Sequence, residues 1–234
     1  MIGLALEGVV KDYRGLRPLR VAHLEVAIGE RVAVAGFDVG SAEVFINLAT
    51  GAALPDTGDV RVLGQPTRAI TDGDLWLASL DRFGIVSHRA VLLDGVTVEQ
   101  NIALSFSLAI EPIPPLIRAQ VAELAQTGGI TSAELETAAG AVSAATKMRV
   151  HLARALALDP QVLVLEHPTL GVERDHVEAL AASMTAATEG RALAMLALTD
   201  DDVFAKGWAQ RRLRLNAGTG VLKGERPHLF RWFS

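Results

Sequence analysis

A glycine-bordered segment lies between two apolar runs near the start of the chain. The run Arg31–Ala35 is typical of a buried strand, and the run Phe45–Gly51 is typical of a helix. The residues between them are Gly36, Phe37, Asp38, Val39, Gly40, Ser41, Ala42, Glu43 and Val44. Strand, glycine loop and helix in this order are typical of a phosphate-binding loop, in which backbone N–H groups surround an anion.

This loop lacks the two side chains that carry the chemistry of such loops. A phosphate loop has a lysine that reaches the terminal phosphates and then a hydroxyl residue for magnesium. Here Ala42 takes the lysine position and Glu43 the hydroxyl position. Like charges about 4 Å apart repel by about 4 kcal/mol at an effective dielectric constant near 20. We therefore expect weakened binding of ATP and Mg²⁺, unless Glu43 itself ligates the metal.

Composition and charge exclude several classes of protein. Half of the 234 residues are apolar and 21% are charged, which favours a compact globular fold. A net charge of −5 argues against broad nucleic-acid binding, and the lack of cysteine excludes disulfides and thiolate metal sites. The chain shows no signal peptide and no apolar run of about 18 residues. We expect a cytoplasmic protein without direct membrane insertion, peripheral to the inner membrane through a partner.

Strand and helix patterns alternate along the chain. Residues 1–65 show short strands and turns, and residues from about 98 to 158 carry apolar side chains at helical spacing. The elements predicted beyond residue 83 are the strands Gly84–Val86, Val162–Leu165, Ala192–Leu198 and Arg211–Leu215 and the helices Leu116–Gln126, Lys147–Leu158 and His176–Thr188. Such alternation predicts an α/β fold with a parallel sheet.

Several ordered segments resemble the nucleotide-binding subunits of ATP-binding cassette (ABC) transporters. Leu152–Pro160 is similar to the helix after the family's signature motif, and Val162–Thr169 to the strand that ends in its Walker B carboxylates. Asp56–Gly64 and Thr97–Asn101 match further segments in the same order. The resemblance implies a P-loop NTPase-like fold: a mixed sheet with a parallel core flanked by helices, N-terminal antiparallel strands and an inserted helical subdomain. It places the core in residues 1–87 and 159–234 and the helical subdomain in residues 88–158.

Most positions that the resemblance marks as catalytic carry other residues. The family's phosphate-sensing glutamine, Walker B aspartate, catalytic glutamate and switch histidine correspond to His88, Glu166, His167 and Asp200. The signature glycines correspond to Ala144 and Ala145, which follow Ser143. Their methyl groups would crowd the γ-phosphate of a nucleotide bound to the opposite subunit. The adenine-stacking aromatic is kept as Tyr13, so the resemblance implies nucleotide contacts from Tyr13 and the loop 36–44.

These departures predict a catalytically degenerate subunit with a structural or regulatory role. Its expected partners are a membrane permease subunit, a competent ABC ATPase subunit, or both, in a homodimer or a heterodimer. One alternative is an atypical ATPase that still powers transport. Another is a metal or small-ligand sensor in the converted pocket. Its potential ligands would be Glu43, His88, Glu166, His167 and Asp200, with Glu43 and Glu166 as the first candidates for a metal.

An aromatic tail ends the chain. The segment His228–Phe233 contains Phe230, Trp232 and Phe233. Aromatic side chains favour interface cores, so this tail is expected either to dock on a partner or to fold back on its own domain.

Overall fold

The computed structural model describes residues 1–224. Within them the strands are β1 (Ile2–Lys11), β2 (Leu19–Ala27), β3 (Arg31–Ala35), β4 (Thr57–Val62), β5 (Gln65–Pro66), β6 (Phe83–Ser87), β7 (Val162–Glu166), β8 (Ala194–Leu198), β9 (Arg211–Leu215) and β10 (Leu222–Gly224). The α-helices are α1 (Val39–Ala49), α2 (Gly73–Leu80), α3 (Val98–Ala103), α4 (Pro115–Thr127), α5 (Ser132–Glu136), α6 (Ala144–Leu156), α7 (Val177–Thr188) and α8 (Asp202–Trp208). The tail His228–Phe233 lies outside the described residues.

The strands form two sheets. An antiparallel sheet has the order β2-β1-β4-β5, and a six-stranded sheet has the order β10-β9-β3-β8-β7-β6. In the second sheet the strands from β9 to β6 are parallel, and β10 pairs antiparallel with β9. The predicted mixed sheet with N-terminal antiparallel strands is therefore confirmed. The carboxyl ends of β3, β6, β7 and β8 meet at one edge, where ligands bind in open α/β sheets.

The parallel sheet is covered on both faces. Every residue of β7 and β8 is buried, as their continuous apolar sequences predict for central parallel strands. One face packs with α1 and the antiparallel sheet around Phe45. The other face packs with α6, α7 and α8, where the rings of Phe204 and Trp208 stack with centroids 5.8 Å apart. This packing fixes the positions of the strand ends that carry the candidate site.

Helices α3 to α6 enclose a third apolar cluster, which includes Val98, Ile102, Val121 and Val150. Other side chains of α6, such as Leu152, belong to the cluster on the parallel sheet. Helix α6 therefore joins the helical region to the core. The subdomain boundaries at residues 88 and 158 stay a prediction.

Several boundaries differ from the predicted ones. Helix α1 begins at Val39, not at Phe45, because the side chain of Asp38 caps it by accepting a hydrogen bond from the Ser41 N–H. Helix α7 begins at Val177, after a 3₁₀ turn over Arg174–His176. Helix α2 was not predicted, although Trp76 and Leu77 lie four and three residues before Leu80, at helical spacing. None of the helices in residues 1–224 is long and apolar enough to cross a membrane.

Candidate functional site

The candidate loop begins with Gly36, directly after β3. Its φ angle is +95°, and a Cβ at this position would lie 2.7 Å from the carbonyl oxygen of Leu215, so glycine is required for both reasons. The Gly36 N–H donates a hydrogen bond to Oδ1 of Asp200, at 2.9 Å. Nη1 of Arg214 lies 3.5 Å from the same oxygen. The first amide of the loop is therefore bonded to a carboxylate of the chain itself.

A second carboxylate lies at the start of α1. Oδ1 of Asp38 accepts hydrogen bonds from the backbone N–H and from the hydroxyl of Ser41, each at 2.7 Å. The Ser41 hydroxyl and then the Ser41 N–H lower the pKa of Asp38 below its ordinary value, because both bonds favour the carboxylate. The N-terminus of a helix, with its free backbone N–H groups, is a general binding site for anions. At the N-terminus of α1 the carboxylate of Asp38 takes this position.

Other residues of the loop are either packed in the core or partly exposed to solvent. The ring of Phe37 is buried edge-on against Phe45, with centroids 5.4 Å apart. Ala42, at the lysine position, is fully buried in the core cluster. Val39 is half exposed, and the side chain of Glu43 is 50% exposed.

Arg89 connects the loop to the end of β7. Its Nη1 lies 2.8 Å from Oε1 of Glu43. Its Nε and Nη2 donate to Oε2 of Glu166 at 3.1 and 3.0 Å. The side chain of Glu166 is 0% exposed, and that of Arg89 is 35% exposed. A guanidinium thus lies between the two carboxylates that were predicted as metal ligands.

Sequence reasoning missed Arg89. The parallel register pairs Ser87 of β6 with Glu166 of β7, so position 89 follows just beyond that carboxylate. A cation two residues past the end of β6 was the signal that could have indicated this ion pair. Attention to the glutamine position alone, at His88, overlooked it.

His167 directly follows Glu166, and His88 directly precedes Arg89. His88 Nδ1, His167 Nε2 and the second oxygen of Glu166, Oε1, are buried without a partner in the described residues. His167 also has a φ angle of +44°, which is uncommon for a residue other than glycine. Buried polar atoms without a hydrogen-bond partner are few in native structures, so these three atoms mark a candidate functional site.

The expected convergence of five potential metal ligands on one point is not found. Among residues 1–224, the group of three or more such side chains with ligand atoms within 4.8 Å of one another is Glu173, Asp175 and His176, all exposed. Asp200 is bonded to the loop, and Glu43 and Glu166 both contact Arg89. Metal binding by Glu43 and Glu166 stays a prediction.

A cavity of about 350 Å³ lies beside the loop and is lined by Tyr13. The ring of Tyr13 lies against Gly15, where a Cβ would be 2.6 Å from it, and near Gly40. Partial burial and the carboxylate of Asp38 raise the pKa of Tyr13, while Arg17 opposes them. The volume falls within the usual range for ligand sites, about 300–1,000 Å³.

The signature-like residues form the start of α6. Ser143 caps this helix by accepting from the Thr146 N–H at 3.1 Å, and the Thr146 hydroxyl donates to Glu134 at 2.6 Å. Ala144 is partly exposed, whereas Ala145 is buried. Of the two added methyl groups, that of Ala145 therefore packs inward.

The fold and the loop define a P-loop nucleotide-binding cassette. Residues 19–170 match the sequence model of the ABC transporter family, and the chain belongs to this family. The predicted family resemblance is confirmed. Members of this family generally bind ATP with Mg²⁺.

Similar proteins include three transporter subunits. The lipoprotein-releasing system ATP-binding protein LolD of Chromohalobacter salexigens is 28% identical over 93% of this chain and 92% of its own length. The methionine import ATP-binding protein MetN of Caulobacter vibrioides is 29% identical over 97% of this chain and 68% of its own length. The sulfate/thiosulfate import ATP-binding protein CysA of Thermosynechococcus vestitus is 30% identical over 71% of this chain. The chain covers only 47% of the length of CysA.

Solved structures support the same fold. The dimeric bacterial ABC transporter cassette MJ0796 has a TM-score of 0.75 at 20% identity, with 96% of this chain and 99% of that chain covered. CbiO1 of Clostridium perfringens, part of the ABC transporter complex CbiONQ, has a TM-score of 0.78 at 19% identity, with 95% and 88% covered. At these identities the likeness shows the fold alone.

Proposed function

We propose that this chain is a catalytically degenerate subunit of an ABC transporter, in which its own side chains take the places of the nucleotide phosphates and of magnesium. It acts as a structural or regulatory partner and does not hydrolyse ATP. The single observation that carries the proposal is the guanidinium of Arg89 between Glu43 and Glu166.

The first support comes from the backbone amides that would bind the phosphates of a nucleotide. In a phosphate loop the inward backbone amides bind the phosphates. Here the Gly36 amide is bonded to Asp200, and the Ser41 amide is bonded to Asp38. A phosphate group would have to displace two carboxylates and then lie beside their charges.

The cation position supports it as well. Magnesium requires oxygen ligands in near-octahedral geometry, and a nucleotide-bound ion would be expected between the loop and the Walker B carboxylate. Arg89 already contacts both carboxylates there, with three contacts of 2.8 to 3.1 Å. In this arrangement the residues do not fit a magnesium–nucleotide complex.

The groups that would assist hydrolysis are also replaced. Phosphoryl transfer depends on positioning together with electrostatic stabilisation of the transferred group. Ala42 supplies no charge, and Asp200 adds a negative one next to the loop. His167, at the position of the water-polarising glutamate, follows the buried Glu166 with a strained backbone. These three positions therefore do not supply the charges that stabilise the transition state.

The partners follow from the family. MJ0796 is dimeric, and CbiO1 is part of a transporter complex. We infer a homodimer or heterodimer with a competent ABC ATPase subunit, a membrane permease subunit, or both. The chain would then lie in the cytoplasm, peripheral to the membrane through these partners.

An atypical ATP-binding subunit is the second candidate, and the cavity beside Tyr13 favours it. An aromatic ring next to a cavity of about 350 Å³ could hold a base by stacking. This possibility requires the phosphates to lie outside the amides that are bonded to Asp38 and Asp200. The same experiment separates the two candidates.

That experiment is calorimetric titration of the full chain with ATP, with and without Mg²⁺, alongside thermal unfolding at the same concentrations. An ABC ATPase of established activity serves as the control for the nucleotide. We expect neither heat nor a thermal shift at millimolar ATP. Micromolar binding that needs Mg²⁺ would overturn the proposal, and micromolar binding without any effect of Mg²⁺ would favour the second candidate.

A further inference from the structure

A cavity of about 380 Å³ lies beneath helix α2, and none of its lining residues belongs to the loop 36–44. The end of α1, strand β4 and the start of β6 form its other walls. Its apolar lining includes Val62, Ile70, Leu75 and Phe83. An apolar cavity of this size is typical of a site for a small ligand.

Helix α2 is poorly covered by the rest of the protein. None of its residues is buried, and Leu75 and Leu77 are 53% and 58% exposed. Trp76 ties the helix to the end of α1, since its indole donates to the carbonyl of Thr50 at 3.1 Å. Apolar surface on the cavity side is therefore available to a ligand, and its burial would favour binding.

Two polar groups on the wall have no partner of their own. Thr67 is 4% exposed, yet its hydroxyl makes no hydrogen bond within residues 1–224. The guanidinium of Arg82 forms no ion pair or hydrogen bond within that same part of the chain. In contrast, the hydroxyls of Thr50 and Ser79 already donate to Ile46 and Trp76. The Thr67 hydroxyl is not among the buried atoms without a partner, and Arg82 is an exposed residue, so both donors are open to a ligand at the mouth of the cavity.

The charge on the residues that line the cavity is positive. Arg82 is its cation, and no aspartate or glutamate is among the residues that line it. A carboxylate is the natural partner of a guanidinium, and a hydroxyl can donate to the same group. A ligand with an apolar body and one carboxylate matches both the walls and the two donors.

We propose that this cavity binds a small amphipathic carboxylate of the medium-chain fatty acid type. The apolar chain lies against Val62, Ile70 and Phe83 under helix α2. The carboxylate accepts hydrogen bonds from Arg82 and Thr67. This inference is independent of the proposed loss of ATP hydrolysis, because none of these residues belongs to the loop 36–44.

The first test is calorimetric titration of the full chain with sodium decanoate below its micellar range. Decanol and decyltrimethylammonium, with the same chain and a neutral or cationic head, are the matched probes. The ¹⁵N signal of the Trp76 indole reports whether binding occurs beside α2. We expect saturable decanoate binding that shifts this signal, and about tenfold weaker binding of the two other probes. Equal binding of all three, or no saturable binding of decanoate, would overturn the proposal.

Variants then assign the site. Arg82→Gln and Thr67→Val should each weaken decanoate about tenfold, equivalent to about 1.4 kcal/mol. Thr67→Ser keeps the hydroxyl and should bind as the unaltered chain does. Ala78→Phe places a ring on the cavity wall and should abolish binding. Arg17→Gln, at an exposed arginine outside this cavity, is the control and should change nothing. Unchanged affinity in both Arg82→Gln and Ala78→Phe would refute the site, even if decanoate binds elsewhere.

Discussion

Arg89 donates two hydrogen bonds to a single oxygen of Glu166, Oε2, from Nε at 3.1 Å and from Nη2 at 3.0 Å. Glu166 is completely buried, so this contact neutralises a charge that has no access to water. The third nitrogen, Nη1, reaches Glu43 on the loop. The three side chains therefore join the ends of two parallel strands, β6 and β7, to helix α1.

The first prediction concerns this ion pair. Arg89→Met keeps an aliphatic side chain but leaves Glu166 as a buried charge without a partner. Removal of one member of a buried pair costs about 3–5 kcal/mol. Because Arg89 is partly exposed, we expect the free energy of unfolding to fall by about 3 kcal/mol. Urea unfolding at neutral pH measures it.

Two further variants control this result. Glu43→Gln should cost less than about 1 kcal/mol, because Glu43 is half exposed and surface pairs contribute little. Glu166→Gln in the Arg89→Met background should recover part of the loss, since the buried group is then neutral. If Arg89→Met costs no more than Glu43→Gln, Arg89 does not stabilise the site as inferred.

The second prediction concerns the loop. Ala42→Lys and Glu43→Ser restore the two missing groups, and Asp38→Ser removes the carboxylate at the start of α1. Together these changes should strengthen binding of Mg²⁺ and ATP in calorimetric titration, because the lysine and hydroxyl are restored and the carboxylates of Asp38 and Glu43 are removed. Phosphate release should remain near background, since His167 and Asp200 are unchanged.

Comparison with the double variant Ala42→Lys and Glu43→Ser isolates the effect of Asp38. We expect the triple variant to bind more tightly, because a phosphate then competes with one fewer carboxylate. Substantial hydrolysis by either variant would mean that His167 and Asp200 do not block turnover.

The fold was largely predictable from the sequence, for physical reasons. The apolar runs that became β7 and β8 are short and continuous, as burial on both faces requires. The glycine at position 36 marked the turn after β3, because its conformation and its close approach to Leu215 exclude other residues. Helix α2 was missed because its eight residues are too few for a clear helical period, although Trp76, Leu77 and Leu80 lie at helical spacing.

The site was less predictable, since side-chain contacts across the fold decide it. The capping role of Asp38 could have been found, because aspartate is a preferred N-cap residue and glycine at position 40 does not prevent a helix from starting. The contact between Arg89 and Glu166 depends on the register of β6 against β7, which sequence patterns do not fix. The resemblance to the family predicted which positions carry other residues, but not the contacts that those residues make.

The third prediction concerns Asp38. Its pKa is lowered in the folded protein, so it stabilises the fold above its ordinary value of 3.8, and this contribution is lost as the pH falls through the lowered folded value. Asp38→Asn keeps a capping side chain but removes the charge, and should cost about 1 kcal/mol at neutral pH. In acid the difference between variant and wild type should disappear. Denaturant unfolding at neutral pH and at a series of pH values from 3.8 downwards measures both.

Asp72→Asn provides the comparison for the cap alone. Asp72 caps α2 by accepting from the Leu75 N–H at 2.9 Å. If Asp38→Asn shows the same stability difference in acid as at neutral pH, the charge of Asp38 does not contribute.

The fourth prediction concerns His151, which is buried on α6 with 6% exposure. Burial, and then the charges of Arg154, His88 and Lys147, together lower the pKa of His151 to about 4. In the unfolded chain the imidazole takes up a proton near its ordinary value of 6.5, whereas the folded protein does so only near 4. Between these values the unfolded state binds more protons, so the free energy of unfolding rises with pH.

The contribution of neutral His151 to the free energy of unfolding should therefore have its full value above pH 6.5 and decrease as the pH falls towards 4. The share due to His151 is on the order of 2–3 kcal/mol across this window. His151→Gln should flatten the curve there, as denaturant unfolding at a series of pH values would show. His23→Gln, at an exposed histidine, should leave the curve almost unchanged. An unaltered slope in His151→Gln would mean that this imidazole is not held neutral by the fold.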